Sequence, residues 1–290
     1  MRELRQEDAE RVADIYRAAF GDARPIDAAE ISSWFHNTEL KPDWLRVLEV
    51  DGRVVGYGDI VIERDEVALE VAAPGNWETF IDWAEQRTRD EGLRRVRLFF
   101  PAGHELATIL ERRGYRHWRS AYTMQIELGE GPPQPPGPPT GIDLRAFRPE
   151  DAEATRVALN ECFAEDPFFH HSSPANFREF YLQGRGFDPA LWQLAWGGDQ
   201  LAGLILAFAE SPGEPDLGWV GSLGVRPPWR GRGVGEALLR AAFRELHRHG
   251  LRRVALGVDT ENETGALRLY ERVGMRAVRQ GDNWMLDLPT

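Results

Sequence analysis

The chain has 290 residues, 42% of them hydrophobic, and a net charge of −12, a length and composition that suggest ordinary soluble cores in two domains rather than one. Its acidity argues against wide contact with nucleic acid or an anionic membrane, and a single cysteine, Cys162, excludes an internal disulfide and a multi-cysteine metal site. The opening Met1-Arg2-Glu3-Leu4-Arg5 carries no signal-peptide pattern and the longest apolar run, Leu201 to Ala209, is too short to span a bilayer, so a cytoplasmic protein is expected.

The first half opens with an amphipathic helix from Glu7 to Phe20. Strands follow near 45–50, 53–62 and 66–72, then a helix near 77–91, a strand near 94–100, a short helix near 104–113 and a strand near 118–128. Residues 129–141 are rich in proline and glycine and read as an extended, semi-rigid linker. The second half repeats the order: a helix from Pro149 to Phe163, strands near 191–196, 201–209 and 217–225, a helix over 233–249, a strand over 251–258, a helix over 263–273 and a last strand near 276–288. Meandering strands first and a β-α-β unit later define an α+β class with a mixed sheet in each half. The expected domains are 1–128 and 142–290.

The halves are related in sequence. Arg5-Gln6-Glu7-Asp8-Ala9-Glu10 matches Arg148-Pro149-Glu150-Asp151-Ala152-Glu153 at an offset of 143, which Phe20 and Phe163 keep. Leu110-Glu111-Arg112-Arg113-Gly114-Tyr115 matches Tyr270-Glu271-Arg272-Val273-Gly274-Met275 at an offset of 160, so the second half has gained about 17 residues between these points.

That interval holds the most informative stretch, Arg230-Gly231-Arg232-Gly233-Val234-Gly235, between a strand ending Leu223-Gly224-Val225 and a helix beginning near Glu236. A helix N-terminus leaves N–H groups unpaired and carries partial positive charge. Glycines let a phosphate approach those groups, and Arg230 and Arg232 add charge beside them. A glycine turn alone is equally a tight turn with positive φ. No Gly-Lys-Ser/Thr ending makes it a P-loop, and no Gly-x-Gly-x-x-Gly makes it a dinucleotide fingerprint. Eight arginines between 226 and 253 face only Glu236 and Glu245, which reads as a local anion patch; a solvated helix face explains some of Arg240, Arg244 and Arg248. The first half offers Pro74-Gly75-Asn76-Trp77 in place of the turn, Leu110 opposite Tyr270 and Ala102 opposite Asn262. It keeps the hydrophobic skeleton and loses the polar chemistry. Cys162 reads as a small buried residue near Phe163.

Arg230-x-x-Gly233-x-Gly235, with Asn262, Ala266 and Tyr270-Glu271-Arg272-x-Gly274, resembles the motifs of the GCN5-related N-acetyltransferase (GNAT) superfamily. Met275 stands where that family usually has Phe. The resemblance covers roughly residues 142–290 and implies two tandem domains of this fold, the first degenerate and shaping the acceptor pocket. It implies acetyl-CoA as co-substrate and no metal. The pantetheine arm would lie where strands 217–225 and 251–258 splay apart. The backbone of Leu223, Gly224 and Val225 would hold that arm. Arg230, Gly231, Arg232, Gly233, Val234, Gly235 and Glu236 would hold the pyrophosphate. Tyr270 would donate to the sulfur. Asn262 would contact the coenzyme or cap its helix.

The implied acceptor is the amine of a small molecule or peptide, handled by a monomer or homodimer. No general base is identified: Trp219 stands near the position where many members carry Glu, and the nearby candidates are Glu214, Asp216, His170 and His171. The tandem arrangement is similar to that of the mycothiol synthase group, which acetylates a cysteinyl-glucosaminyl-inositol. Trp219 and Gly257 depart from that group's catalytic Glu and substrate-facing Tyr. A non-catalytic acyl-CoA-binding module, or a structural unit with no coenzyme, are the alternatives of another class.

Overall fold

The computed structural model describes all residues except 36–40, 64, 132–136, 167, 168, 170, 185, 212, 215, 263, 264 and 290. In chain order the elements are β1 (Arg2–Glu3), α1 (Ala9–Phe20), α2 (Ala28–Trp34), β2 (Leu45–Val50), β3 (Arg53–Glu63), β4 (Glu66–Ala72), α3 (Trp77–Asp90), β5 (Arg95–Pro101), α4 (Leu106–Arg112) and β6 (Arg116–Glu127). There follow β7 (Asp143–Ala146), α5 (Ala152–Cys162), α6 (Pro174–Asn176) running into a π-helical turn at Phe177–Leu182, β8 (Gln193–Gly197), β9 (Gln200–Phe208), β10 (Leu217–Val225), α7 (Val234–Arg248), β11 (Arg253–Asp259), α8 (Ala266–Arg272) and β12 (Arg276–Asp287). The short β1, β7, α2 and the 174–182 segment were not anticipated. The two strands are too short to show a period, and among the described residues α2 buries only Ile31.

The chain forms two compact units. Unit 1 comprises Met1–Tyr122, Asp259–Glu261 and Arg279–Thr290; unit 2 comprises Thr123–Val258 and Asn262–Val278. The compact units do not follow the linker: residues 123–128 go with the second unit and 279–290 with the first. In unit 1 the strand order is β1-β2-β3-β4-β5-β12. Its neighbours are antiparallel except β4 and β5, which are parallel. In unit 2 the order is β7-β8-β9-β10-β11, followed by the second part of β6, with β10 and β11 parallel. Each unit is thus a mixed, mainly antiparallel sheet flanked by helices, as the α+β reading expects.

Helices dock through apolar stripes at helical spacing. In α1 the buried residues include Val12, Ile15, Tyr16 and Phe20, and in α7 they include Leu238, Leu239, Ala242, Phe243 and Leu246. The apolar run in β9 is a buried strand: Leu204, Ile205, Leu206 and Ala207 are all fully buried. Trp284 of β12 stacks on Phe100 of β5 at 6.4 Å, inside the core of unit 1.

The sequence repeat has a structural cause at both ends. Asp8 accepts two bonds from the Arg2 guanidinium, at 2.7 and 2.8 Å, and one from the Arg5 amide at 2.8 Å. Asp151 accepts the same three groups from Arg145, at 2.6 and 2.7 Å, and from the Arg148 amide at 2.8 Å. Each aspartate ties an edge strand to the start of a helix, and both are buried. Gly114 and Gly274 end α4 and α8 at φ 86° and 97°. The amides that follow, of Tyr115 and Met275, donate back to the Leu110 and Tyr270 carbonyls at 3.0 Å. Only glycine takes that conformation without strain.

Two outcomes follow. The fragment 1–128 lacks the strand that pairs with β5 from Gly281↔Pro101 to Asp287↔Arg95, so it leaves an open apolar edge; size-exclusion chromatography and near-UV circular dichroism should show aggregation or loss of fixed packing. Bonds from Arg145 hold the Asp151 carboxyl below its usual range despite burial. Its stabilisation is therefore present above the ordinary carboxylate pKa and lost as pH falls through the depressed one. Asp151→Asn should lower unfolding stability by about 2 kcal/mol at neutral pH and by less in acid, read from urea titrations.

Candidate functional site

The parallel pairing of β10 and β11 runs from Leu217↔Arg253 to Val220↔Leu256 and stops. The register of β10 against β9 shifts between Val220 and Ser222, which marks a bulge at Gly221. Beyond it β10 continues beside β9 to Val225↔Gly203, while its other edge has left β11. The main chain of Leu223, Gly224 and Val225 thus lies beyond the last pair that β10 makes with β11. A Cβ on Gly224 would sit 2.7 Å from the Cys162 Cβ, so the end of α5 closes one side of this stretch. The Cys162 thiol is pushed up to about 12 by burial, so it is an inert packing group.

After β10, Pro227–Trp229 form a tight turn. The Trp229 ring packs where a Cβ on Gly197 would stand. Gly231 lies at φ 75° and Gly233 at φ 81°, the latter immediately before α7. A side chain at either would strain the backbone. Gly235 has a different reason to be small: a Cβ there would meet Leu269 of α8 at 3.1 Å. The Ala237 amide donates to Gly233 O, so the amides of Val234, Gly235 and Glu236 precede the first intrahelical bond and point out of the helix end.

The arginine patch is narrower than the sequence suggests. Arg226 pairs with Glu161 at 2.8 Å, Arg240 with Glu236 at 3.0 Å, Arg248 with Glu245 at 2.9 Å and Arg253 with Asp216 at 2.5 Å. Arg230 and Arg232 remain exposed at the turn. The first donates to Val225 O at 3.1 Å and the second lies over the Trp229 ring. Glu236, beside the helix end, is balanced by Arg240 and Arg272.

Tyr270 is buried on α8, and burial pushes its hydroxyl up to about 12. It is therefore neutral and able to donate at physiological pH. Among the described residues its hydroxyl has no hydrogen-bond partner. Asn262 is exposed and does not cap the helix, because Gly265 occupies the N-cap of α8.

The candidate bases do not converge. Glu214 and Asp216 precede β10 and both engage Arg253, at the end of the strand where pairing with β11 is intact. His170 lies outside the described residues, and His171 is exposed, its ring near Phe169. Phe169 in turn stacks on Phe163 at 5.3 Å, whose ring lies 3.4 Å from a Cβ built on Gly224. Trp219 stands four residues before Leu223, and β10 carries no acid. What the sequence reading missed is a hydroxyl pair at the bulge: Tyr181, from the π-helical turn, is hydrogen-bonded to Ser222. An unanticipated helical turn carried that tyrosine, so nothing in the pattern pointed to it.

In unit 1, α3 begins with Trp77, which is buried and donates through Nε1 to Glu105 at 3.2 Å. A large ring and a carboxylate there leave no cradle for an anion.

A parallel pair that parts after four positions, beside a glycine turn entering a helix, is an acyl-coenzyme A transferase fold, and the chain belongs to the GNAT acetyltransferase family. The profile of that family, described as Acetyltransferase (GNAT) family, matches residues 155–275. A protein named mycothiol acetyltransferase from Streptomyces scabiei is 33% identical over 189 residues, which span 63% of this chain and 59% of that protein. One from Geodermatophilus obscurus is 33% identical over 238 residues, spanning 77% of this chain and 76% of its own length. The crystal structure of a GCN5-related N-acetyltransferase from Sphaerobacter thermophilus superposes with a TM-score of 0.84 at 28% identity, covering 100% of this chain and 95% of that one.

Gly233→Ala should cost about 1 kcal/mol of stability in urea unfolding, because the left-handed conformation is retained at the start of α7. An unchanged midpoint would show that the turn relaxes to negative φ.

Proposed function

We propose that this protein moves an acetyl group from acetyl-CoA directly to the amine of a small-molecule or peptide acceptor, with the coenzyme held by unit 2. The observation that carries the proposal is the early parting of β10 from β11 next to the Gly233 helix entry. Backbone groups of Leu223, Gly224 and Val225 would pair with the pantetheine amides as a neighbouring strand would. The segment Arg230, Gly231, Arg232, Gly233, Val234, Gly235 and Glu236 would receive the pyrophosphate on its amides, with Arg230 and Arg232 adding charge. Asn262, exposed beyond β11, would reach the coenzyme from its other side. An amide at the β10 bulge would polarise the thioester carbonyl. Tyr270 would give its proton to the departing sulfur.

No metal enters this scheme. The acceptor amine must attack as the neutral base. With Trp219 where a carboxylate would otherwise stand, its proton would leave through solvent or the Tyr181–Ser222 hydroxyls. The net charge of −12 suits a cationic acceptor and disfavours nucleic acid or membrane as partner. No described helix is long and apolar enough to cross a membrane, and we place the protein in the cytoplasm, as a monomer or homodimer. Of the two sequence halves, 1–128 and 142–290, joined by a linker at 129–141, the second would carry the transfer.

A second reading, acetylation of the cysteinyl amine of a mycothiol precursor, is favoured by the names of the relatives. Trp219 and Gly257 on the strands that flank the gap favour a different acceptor. Thiol release with that precursor, against a panel of other amines, separates the two. An acyl-CoA-binding module would bind acetyl-CoA and release no thiol with any amine.

Tyr270→Phe should lower kcat about a hundredfold and leave the Kd for acetyl-CoA within about threefold, measured by thiol release and calorimetry. Gly233→Ala should instead weaken acetyl-CoA binding about tenfold, by placing a methyl group beside the amides at the helix entry. Unchanged turnover in the tyrosine variant would remove that residue from the mechanism.

A further inference from the structure

One face of the unit 2 sheet is left bare beside Trp219. Trp219 of β10 stands opposite Phe208 of β9, so the two side chains share a face. The Phe208 ring lies against Gly221 at the bulge, where a Cβ would come within 2.7 Å of it. On the other side, a Cβ on Gly257 of β11 would meet nothing nearer than the Trp219 ring, at 4.0 Å. Gly221 and Gly257 are both exposed, although β10 and β11 run inside the sheet order. Parallel strands are ordinarily covered on both faces; here two glycines leave main chain open to solvent next to one indole. Trp219 itself is half-buried. Among the described residues its ring pairs with no other ring, and its indole N–H has no acceptor.

We propose that Trp219 and Gly257 form the acceptor subsite of unit 2, and that its occupant is the aromatic ring of an arylalkylamine, packed on the indole over the bare Gly257 main chain. This assignment rests on the acetyl-transfer reading of unit 2, for which it names the substrate class. An indole face and a second aromatic ring attract each other beyond the area they bury, and the glycine supplies the room in which that second ring lies. The strand pair is not built for a further charge: β10 carries no acid, and Glu214 and Asp216 are engaged by Arg253. Nor is it built for a polyhydroxylated acceptor. The Tyr181 and Ser222 hydroxyls are bonded to each other, and apart from Ser222 and the indole N–H the side chains of β10 are apolar, so sugar hydroxyls would give up water there without replacement.

The register sets the length of the amine arm. Gly257 follows Leu256, the last residue of β11 to pair with β10, through Val220. It therefore lies level with the bulge, about 5 Å away across the strand spacing at the point where the strands begin to part. The thioester carbonyl is assigned to an amide of that bulge. A ring over Gly257 then delivers its nitrogen to the carbonyl through a linker of about two carbons, as in phenethylamine. That nitrogen forms the new C–N bond as the C–S bond breaks; its proton leaves to solvent, and the sulfur takes one from Tyr270.

The test is thiol release from acetyl-CoA by the full-length protein with phenethylamine, n-butylamine and glucosamine as acceptors. The kcat/KM for phenethylamine should exceed that for each of the others by about tenfold or more. Trp219→Ala should lower the ratio of phenethylamine to n-butylamine by about fivefold or more, chiefly through KM, and Trp219→Phe, which keeps a ring, should restore most of it. Gly257→Val fills the floor and should raise the KM for phenethylamine about tenfold. Gly257 is outside the left-handed region and its Cβ would meet only the Trp219 ring, so this variant is expected to fold. Equal use of n-butylamine or glucosamine, a ratio unmoved by Trp219→Ala, or thiol release with other amines and none with phenethylamine overturns the proposal and leaves acetyl transfer standing. No thiol release with any amine, while calorimetry still shows acetyl-CoA bound, overturns the transfer reading and the acceptor with it. The wild-type comparison decides by itself should the variants not fold.

Discussion

A parallel strand pair that stops after four residues is the constraint on which unit 2 rests. The bulge at Gly221 lets β10 stay on β9 while it abandons β11. The cost is a row of main-chain groups without a ladder partner, which an isolated fold would not leave open. Everything near the site serves that open edge. Cys162 and Phe163 close on Gly224 from α5, Trp229 pins the turn against Gly197, and Leu269 brings α8 up to Gly235. Phe208 lies against Gly221 itself, where a Cβ would come within 2.7 Å of its ring, so the bulge is packed as well as bent.

How much of this could be read from the chain follows from how local each signal is. The glycine turn was legible because positive φ and close approach leave a mark at single positions. The third glycine carried the right identity for a different reason, since Gly235 accommodates Leu269 and not an anion. Much of the basic run dissolved into ion pairs, Arg240 and Arg248 with glutamates a turn away on the helix and Arg226 and Arg253 with acids distant in sequence. Tyr181 was invisible, because it meets Ser222 across 40 intervening residues through a helical turn with no clear period. The first half was read as having lost its polar chemistry. That holds for the helix entry, where Trp77 and Glu105 sit; the polar cluster of Tyr16, Arg24, Asp59 and Glu70 left no mark in the sequence, because its members are spread along the chain and meet only when α1 docks on β3 and β4.

The repeat shows which features the fold itself demands. Asp8 and Asp151, with their arginines, and the terminal glycines Gly114 and Gly274 recur because each fastens an edge strand or ends a helix. None of them touches a site. The halves differ at and after the strand that parts from its neighbour: β4 carries Glu70 there and leads to Trp77, whereas β10 carries Leu223, Gly224 and Val225 and leads to the glycine turn.

The exchange of closing strands bears on how the molecule is made. Most of unit 1 precedes unit 2 in the chain, yet its sheet needs the 279–290 segment, which follows the whole of unit 2. Unit 2 has its whole complement by Val278. In vectorial synthesis unit 1 is therefore the later of the two to reach its native state, with one edge of β5 unpaired while unit 2 is made.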